Sequence, residues 1–386
     1  MDHHRTFREW FKKSSIYLIT IGCLFIFIGM LTTVSPSYRL SSTKLTDWTS
    51  EVDSATFLYL MGLESSIFQE AYPKDRDVPE LSLTLFQIIT SIKPEDPRSL
   101  FGNEVPGFSI FDQHILIAGE GTNYTNLPIE SSPPLDEVLK DREAIDGGDE
   151  NREEEKPIDK EKKATNTTGD RQVVFIYNSH NRESFLPHLP DVTDPDQAHH
   201  PEVNITKVSD RLAKSLEENG IGTIVDDTDI MSMLNERSWG YGESYKASKE
   251  VVEEAFAMNE QIQYVFDLHR DSIRGDVTTK EINGKPYARI MIVVGAKHEN
   301  YEKNLEYATQ LHYLLEEKYP GLSRGVYPKK GAGSNGVYNQ DISENALLLE
   351  MGGVDNHLDE LYRSADALAE VFSDFYWDAE KVNVNQ

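Results

Sequence analysis

The pattern of apolar and polar residues distinguishes the N-terminal end from the rest of the chain. Ile16–Val34 form a continuous run without a charged side chain, which as a helix is long enough to cross the hydrocarbon core of a bilayer. Basic residues precede this run at Arg5, Arg8, Lys12 and Lys13. By the positive-inside rule, the pattern predicts a cytoplasmic N-terminus at 1–15, a transmembrane helix at 16–34 and an extracytoplasmic remainder. A cleaved signal peptide is the alternative, although the run is longer than a usual signal-peptide core and no small-x-small site follows it cleanly.

The pattern weakens over residues 35–130. In Ser54–Ala71 and Leu81–Ile92, apolar residues recur at intervals of three and four, which predicts short amphipathic helices in a small, mostly helical region. Between Asp136 and Glu161, acidic residues outnumber basic ones and bulky apolar side chains are scarce. Because such a composition cannot bury a core, residues 131–170 are predicted to form an acidic disordered linker.

After this linker, short apolar runs alternate with amphipathic segments, a pattern typical of α/β domains. The predicted strands are Val173–Tyr177, Ile221–Val225, Tyr264–Leu268, Ile290–Val294 and Ala346–Glu350. The predicted helices are Val203–Asn219, Tyr245–Ala257, Asn300–Lys318 and Asp359–Trp377. We therefore expect an α/β domain at 171–386, with a mostly parallel sheet flanked by helices.

Charge and cysteine usage restrict the function. The formal net charge is -28, and a surface of that sign repels the phosphates of nucleic acid, which excludes nucleic acid as the expected partner. The single cysteine, Cys23, lies in the apolar run. A disulfide framework and a thiolate zinc cluster are therefore excluded, and any metal site must use histidines and carboxylates.

Candidate chemistry lies at the ends of three predicted strands, where open α/β sheets place their active sites. His180 and Glu183 follow the first strand, His269 follows the third, and Glu350 closes the fifth. Two histidines and a carboxylate form a recurrent catalytic zinc site, and a second carboxylate can move the proton. We expect His180, His269 and Glu183 to bind Zn²⁺ and Glu350 to act as the proton shuttle. Glu202, at the start of the next helix, is the alternative third ligand.

We expect other polar residues near these strands to support the site without binding the metal or moving the proton. Arg270 and Asp271 are expected to contact substrate or to orient the ligands. Glycines after Glu350 are expected to turn the backbone and leave its carboxylate exposed. The histidines of the loop after the first strand, His188, His199 and His200, are expected to be solvated. A serine hydrolase is disfavoured because Ser179, Ser184 and Ser272 lie outside any G-x-S-x-G elbow.

Several ordered motifs resemble one known family. They are IYNSHNRESFLP, VNITKVSDRLAKSLEENGIG, the spaced Ser244, Tyr245 and Ser248, VFDLHRDS, and LLLEMGGVDN. In this order they resemble the stage II sporulation protein P family of endospore-forming bacteria, which is related to zinc-dependent N-acetylmuramoyl-L-alanine amidases. The resemblance covers about 200 residues and, more loosely, the N-terminal run and FLYLMGLE. Position by position, His180 and His269 match the metal histidines of the family and Glu350 its catalytic carboxylate, whereas related amidases can take the third ligand from the position of Glu202.

The resemblance implies a membrane-anchored zinc amidase that removes stem peptides from peptidoglycan, with an endopeptidase activity on cross-links also attributed to the family. It implies a place at the forespore septum during engulfment, alongside a lytic transglycosylase and a membrane scaffold protein. The unusually long acidic linker leaves open a paralogue with a wall-lytic role elsewhere. Two other functions remain: a tethered wall-binding or scaffold protein with an inactive site, and a zinc carboxypeptidase-like peptidase in which Arg270 binds a terminal carboxylate.

Overall fold

The computed structural model describes residues 115–130, 132–146, 166–330 and 334–384. All of them belong to the second of the two units into which the chain divides, residues 101–386. The predicted cytoplasmic end, the transmembrane helix at 16–34 and most of the region at 35–130 lie outside the described residues. Within the described part, no helix is long and apolar enough to cross a membrane.

A seven-stranded sheet forms the centre of the described unit, in the order β1-β8-β7-β9-β4-β2-β3. Its strands are β1 (Ile117–Ala118), β2 (Gln172–Tyr177), β3 (Gly222–Val225), β4 (Tyr264–Asp271), β7 (Ile290–Gly295), β8 (Ser323–Lys329) and β9 (Ala346–Gly353). Four neighbouring pairs are parallel, namely β2–β3, β2–β4, β4–β9 and β7–β8, whereas β1–β8 and β7–β9 are antiparallel. The mixed α/β fold with a mostly parallel sheet is therefore confirmed.

A separate hairpin joins β5 (Thr279–Ile282) to β6 (Lys285–Ala288). Its two-residue turn is Asn283-Gly284, both with positive φ, the backbone that a type I′ hairpin turn requires and that Asn-Gly favours. The α-helices are α1 (Leu135–Val138), α2 (Thr206–Glu218), α3 (Ile230–Glu236), α4 (Ser244–Met258), α5 (Gly275–Thr278), α6 (Tyr301–Lys318) and α7 (Leu358–Val384).

Helices cover both faces of the sheet because its buried strands are apolar on both sides. Val174 and Ile176 of β2 belong to the large core cluster that includes buried residues of α2, α6 and α7. Their neighbours Phe175 and Tyr177 point the other way and pack with Val252 of α4. From Val174 to Tyr177, the alternation along β2 thus places one helical layer on each side of the sheet.

All predicted strands and helices of the domain exist, with shifted ends. β4 continues past Leu268 to Asp271 and β9 continues past Glu350 to Gly353, because the two strands pair beyond the predicted limits, at His269 with Glu350 and at Asp271 with Gly353. The expected turn directly after Glu350 is therefore wrong. Gly352 does adopt a positive φ of 66°, but within the strand.

Residues 115–146 pack on the same unit, which corrects the predicted boundaries at 131 and 171. β1 pairs with β8, and Val138 of α1 is fully buried against Ile230 and Leu234 of α3. Most acidic side chains of this stretch are exposed, whereas Val138 is buried and Leu135 and Leu139 are half-buried. Composition alone therefore misassigned residues 132–146 to the linker, and residues 147–165 lie outside the described part of the chain.

Candidate metal and catalytic site

The loop after β2 is fastened to β4 by buried hydrogen bonds. Asn178 Nδ2 donates to the Leu268 carbonyl oxygen at 2.7 Å, and Ser179 N donates to Asp267 Oδ1 at 2.9 Å. Ser179 Oγ donates to the other oxygen of the same carboxylate at 2.6 Å. Because β2 and β4 are parallel neighbours, these bonds hold His180 beside His269.

His180, Glu183 and His269 form one buried cluster whose candidate ligand atoms all lie within 4.8 Å of one another. Nδ1 of His180 lies 3.4 Å from Glu183 Oε1, and Nδ1 of His269 lies 3.6 Å from Glu183 Oε2. The Glu183 carboxylate also accepts a hydrogen bond at Oε2 from the backbone N–H of Arg270, at 2.8 Å. The structure thus brings together all three predicted ligands.

The cluster fits a divalent metal ion in two respects: its donor atoms are of the types that such ions bind, and one of these atoms lacks a hydrogen-bond partner in the part of the chain that the structure describes. Nδ1 of His180 is buried without a well-formed hydrogen bond among the described residues, as expected for an atom that ligates a cation. The opposite atom of that ring, Nε2, lies 2.8 Å from Ser244 Oγ, and Nε2 of His269 lies 3.1 Å from Asp267 Oδ1. A partner such as the Ser244 hydroxyl orients a ligand histidine. Nε2 of His269 lies close to the Asp267 carboxylate but without a well-formed hydrogen bond, so this carboxylate acts mainly through its charge.

The pKa values of the cluster describe a site that favours positive charge. Burial alone lowers the pKa of His269, but the carboxylates of Asp267, Glu183 and Glu350 raise it well above its ordinary value. Burial alone raises the pKa of Glu183, but His180 and His269 bring it below its ordinary value. The carboxylates therefore stabilise a proton on His269, and a metal cation in the same place would meet the same field.

Glu350 lies beside this cluster on β9, where its Cα is paired with that of His269 on β4. It is 6% exposed, so the expected exposed carboxylate is buried. Its Oε2 has no hydrogen-bond partner in the described residues. Burial and, after it, Asp271 raise the pKa of Glu350 to about 8. Glu350 is thus a carboxyl group with a free oxygen, held next to the candidate ligands.

The remaining predicted residues occupy different places. Glu202 is exposed and lies outside the metal cluster. Arg270 is buried, and its backbone contacts Glu183. Asp271 lies outside the metal cluster, and its Oδ2 accepts from Arg324 Nη1 at 2.6 Å in a fully buried ion pair. Because its carboxylate adds to the effect of burial in raising the pKa of Glu350, its expected role beside the ligands stays a prediction.

The three loop histidines expected to be solvated are all buried. Nδ1 of His188 lies 2.9 Å from the Ile145 carbonyl oxygen, and its Nε2 accepts from Leu358 N at 3.0 Å. Nδ1 of His200 accepts from Val203 N at 2.9 Å. The loop folds against the domain, so a Pro- and Asp-rich composition was a poor guide to its exposure.

One wall of the site comes from a distant segment that sequence reasoning missed. Tyr245 Oη donates to Glu130 Oε1 at 3.0 Å, and Lys329 Nζ donates to Glu130 Oε2 at 3.2 Å. The Tyr245 ring stacks on the His269 ring with centroids 6.0 Å apart. Burial alone raises the pKa of Glu130, but Lys329, with smaller contributions from His180 and His269, lowers it. Glu130 is therefore an ionised part of the site.

The chain matches a known protein family over most of its length. The model of the stage II sporulation protein P family matches residues 95–373. The chain is 46% identical over 372 residues to "Stage II sporulation protein P" of Bacillus subtilis (strain 168), covering 96% of this chain and 93% of that protein. It is also similar to the crystal structure of an N-acetylmuramoyl-L-alanine amidase from Clostridium difficile 630, at 16% identity and a TM-score of 0.32, covering 55% of this chain and 97% of that chain. The family match and the extensive identity show that this chain belongs to the stage II sporulation protein P family.

Proposed function

We propose that the chain is a zinc-dependent peptidoglycan hydrolase that cleaves the amide between the lactyl group of N-acetylmuramic acid and the L-alanine of the stem peptide. The observation that carries this proposal is the buried cluster of His180, Glu183 and His269 with the unpartnered oxygen of Glu350 beside it. A binding protein has no need for a metal triad together with a carboxyl group free to exchange a proton. Membership of a sporulation protein family supports the wall as the substrate.

The chain's own residues would perform the hydrolysis in a fixed order. His180, Glu183 and His269 would hold zinc, which as a Lewis acid polarises the scissile carbonyl and makes a neighbouring water a better nucleophile. Glu350 Oε2 accepts the proton of the attacking water. The same oxygen then donates this proton to the amide nitrogen as the C–N bond breaks, which releases the stem peptide with a free amino group.

The surroundings support this use of Glu350. Its burial favours the neutral acid, while the positive charge of a cation favours the carboxylate. A cation held by the cluster would therefore oppose the rise in the pKa of Glu350 that burial causes, and a carboxyl group with a pKa near the working pH can both accept and donate a proton. Ser244 and Asp267 would keep the two imidazoles in position during this exchange.

We further propose that residues 16–34 anchor the enzyme in the cell membrane, with residues 1–15 in the cytoplasm and the catalytic unit outside. In this arrangement it acts on the wall at the forespore septum during engulfment, with a lytic transglycosylase and a membrane scaffold protein as partners. The support is the apolar run with its preceding basic residues and the family membership.

The test is mass analysis of the products that the zinc-loaded full-length chain releases from purified peptidoglycan. We expect free stem peptides that begin with L-alanine and glycan strands without peptides, and we expect a chelator to abolish both. Cleavage of cross-links alone would make the enzyme an endopeptidase, and loss of only C-terminal residues would make it a carboxypeptidase. Wall binding without any product would favour a tethered scaffold.

A further inference from the structure

Arg270 is a buried guanidinium with too few bonds. The residue is 2% exposed, yet its Nη1 reaches Ser272 Oγ only at 3.3 Å and its Nη2 reaches the Ala198 carbonyl oxygen only at 3.4 Å. Nε has no partner in the described part of the chain, and none of the carboxylates described there forms an ion pair with the side chain. A buried charge is ordinarily paired, so the bonding of Arg270 is incomplete.

Two other buried arginines have closer partners than Arg270. Arg324 pairs with Asp271 at 2.6 Å and donates to the Asn126 carbonyl oxygen at 2.6 Å. Arg289 donates to three carbonyl oxygens at distances of 2.7–3.1 Å. Nε of Arg324 is unpartnered among the described residues, like that of Arg270, but its terminal nitrogens bond at 2.6 Å. The terminal nitrogens of Arg270 reach their acceptors only at 3.3 and 3.4 Å, so Arg270 has the weakest bonds of the three.

Two further polar groups without partners lie close to Arg270. His199 is 1% exposed, and among the described residues neither of its ring nitrogens has a hydrogen-bond partner. It directly follows Ala198, whose carbonyl oxygen contacts Arg270. The hydroxyl of Tyr241 is likewise buried and unpartnered, and its ring lies 6.5 Å from the His199 ring, between centroids.

This group of residues adjoins the candidate metal site. The Tyr241 ring stacks on the His180 ring with centroids 4.6 Å apart. The backbone of His199 forms an antiparallel bridge with that of Glu183, and the backbone N–H of Arg270 bonds the Glu183 carboxylate. Arg270, His199 and Tyr241 are buried, at 2%, 1% and 6% exposure, and the candidate ligands are 2–3% exposed. A substrate that reaches the ligands thus arrives beside this group.

We propose that Arg270, His199 and Tyr241 form a subsite that binds a carboxylate of the stem peptide. Guanidinium, imidazole and phenol all offer N–H or O–H donors, and the planar guanidinium can bond both oxygens of one carboxylate. The inference rests on the proposed function, because peptidoglycan stem peptides carry free carboxylates near the scissile amide. In this proposal, a carboxylate of the stem peptide is the anion that pairs with the Arg270 guanidinium.

The first test needs no variant. The zinc-loaded full-length chain is given two disaccharide-tetrapeptides that differ only in whether the stem carboxylates are free or converted to amides. A charge-assisted hydrogen bond made by one and lost by the other corresponds to about a tenfold to hundredfold difference. We expect kcat/KM to be higher for the free acid by that factor. Equal cleavage of both would overturn the subsite while leaving the amidase proposal intact.

Variants assign the preference to its residues. Arg270→Gln should bring the ratio of the two kcat/KM values close to one, His199→Gln should reduce it severalfold, and Arg270→Lys should keep part of it. Arg274→Gln is the control, because this arginine is only four residues away but its side chain is 55% exposed. A ratio unchanged in both Arg270 variants would contradict the proposal.

A binding measurement separates this inference from the proposed activity. Calorimetric titration of the full-length chain with the released tetrapeptide should give at least tenfold tighter binding for the free acid than for its amide. If neither disaccharide is cleaved, the amidase proposal fails, and the titration still decides on the subsite. Equal affinity for the two peptides would overturn it, and a preference reduced in Arg270→Lys and lost in Arg270→Gln would support it.

Discussion

Oδ1 of Asp267 lies 3.1 Å from Nε2 of His269, two residues further along β4. The same carboxylate accepts hydrogen bonds from the backbone and side chain of Ser179, the residue before His180. One buried side chain therefore contacts both segments that carry the ligand histidines, and the geometry of the cluster depends on it.

Asp267→Asn should weaken zinc binding by about tenfold to a hundredfold, the usual effect of losing a partner that orients a ligand. The amide keeps the shape of the side chain but removes its charge and exchanges one acceptor for a donor. Competition titration with a zinc chelator measures the affinity. Asp341→Asn, which removes a surface ion pair with Lys249, should leave it unchanged, and equal affinities in the two variants would exclude the orienting role.

The three clustered residues should each be needed for metal. His180→Ala, Glu183→Ala and His269→Ala should lose zinc, because removal of one of three protein ligands opens the site to water. Glu202→Ala is the control, since this carboxylate is exposed and outside the cluster. Metal analysis of the purified full-length variants decides between the two glutamates: zinc retained in Glu183→Ala but lost in Glu202→Ala would reverse the assignment.

Glu350→Gln should keep its zinc and lose most of its activity. The amide fills the same space, but it cannot accept the proton of the attacking water, and loss of a general base typically costs about 10²–10⁴ in rate. Release of stem peptides, measured beside zinc content and wall binding, separates the roles. Activity within a few-fold of the parent would exclude the shuttle, and zinc loss would make Glu350 a ligand.

A fragment that begins at residue 171 should be less stable than one that begins at residue 115. The shorter fragment would lose three hydrogen bonds to buried side chains. In the longer one, Ile129 N donates to Asp271 Oδ1. Arg324 donates to the Asn126 carbonyl oxygen and Arg289 to the Glu120 carbonyl oxygen. At about 1–3 kcal/mol for each group left unsatisfied, the loss in unfolding free energy should be at least about 3 kcal/mol. Urea unfolding of both fragments provides the measurement, and equal midpoints would show that residues 115–146 add nothing to the fold.

The ion pair of Glu130 and Lys329 should make stability depend on acid pH. Because the pKa of Glu130 in the folded chain lies below 4.5, its stabilising effect is complete above that value and disappears as the pH falls through the lowered pKa. Glu130→Gln should thus cost about 1–3 kcal/mol at neutral pH and progressively less below pH 4.5.

Melting temperatures of the parent and Glu130→Gln across pH 3–7 would test this dependence, with the exposed Glu281→Gln as control. A difference between parent and Glu130→Gln that stays constant with pH would show that the carboxylate charge contributes nothing.

Local patterns were sufficient for five of the nine strands in the described part of the chain, β2, β3, β4, β7 and β9, and for the residues of the metal cluster. Each apolar run between turns became a strand, and the carboxyl ends of β2 and β4 met at one edge because parallel neighbours must place them there. The family resemblance alone left the third ligand open. The structure brings Glu183 into the cluster because the loop after β2 turns back within three residues, whereas Glu202 stays on the surface.

Contacts between distant segments could not be predicted in this way. Glu130 meets Lys329 and Tyr245 across more than a hundred residues, and no periodicity links such positions. β8 was missed because Arg324, Gly325 and Lys329 interrupt the apolar pattern of an otherwise buried strand. A charged residue such as Arg324 is expected at the surface unless it has a buried partner. That partner is Asp271, which lies far from Arg324 in the sequence.

The acidic stretch begins and ends on the same folded body. Before it, Ile145 N donates to the His188 carbonyl oxygen at 2.9 Å; after it, Thr168 N donates to the Gly220 carbonyl oxygen at 2.8 Å. The described residues on both sides of 147–165 therefore belong to one folded unit. If residues 16–34 anchor the chain as proposed, a change in the length of 147–165 would leave the distance between the membrane and the proposed active site unaltered, whereas a change on the N-terminal side of residue 115 would alter it.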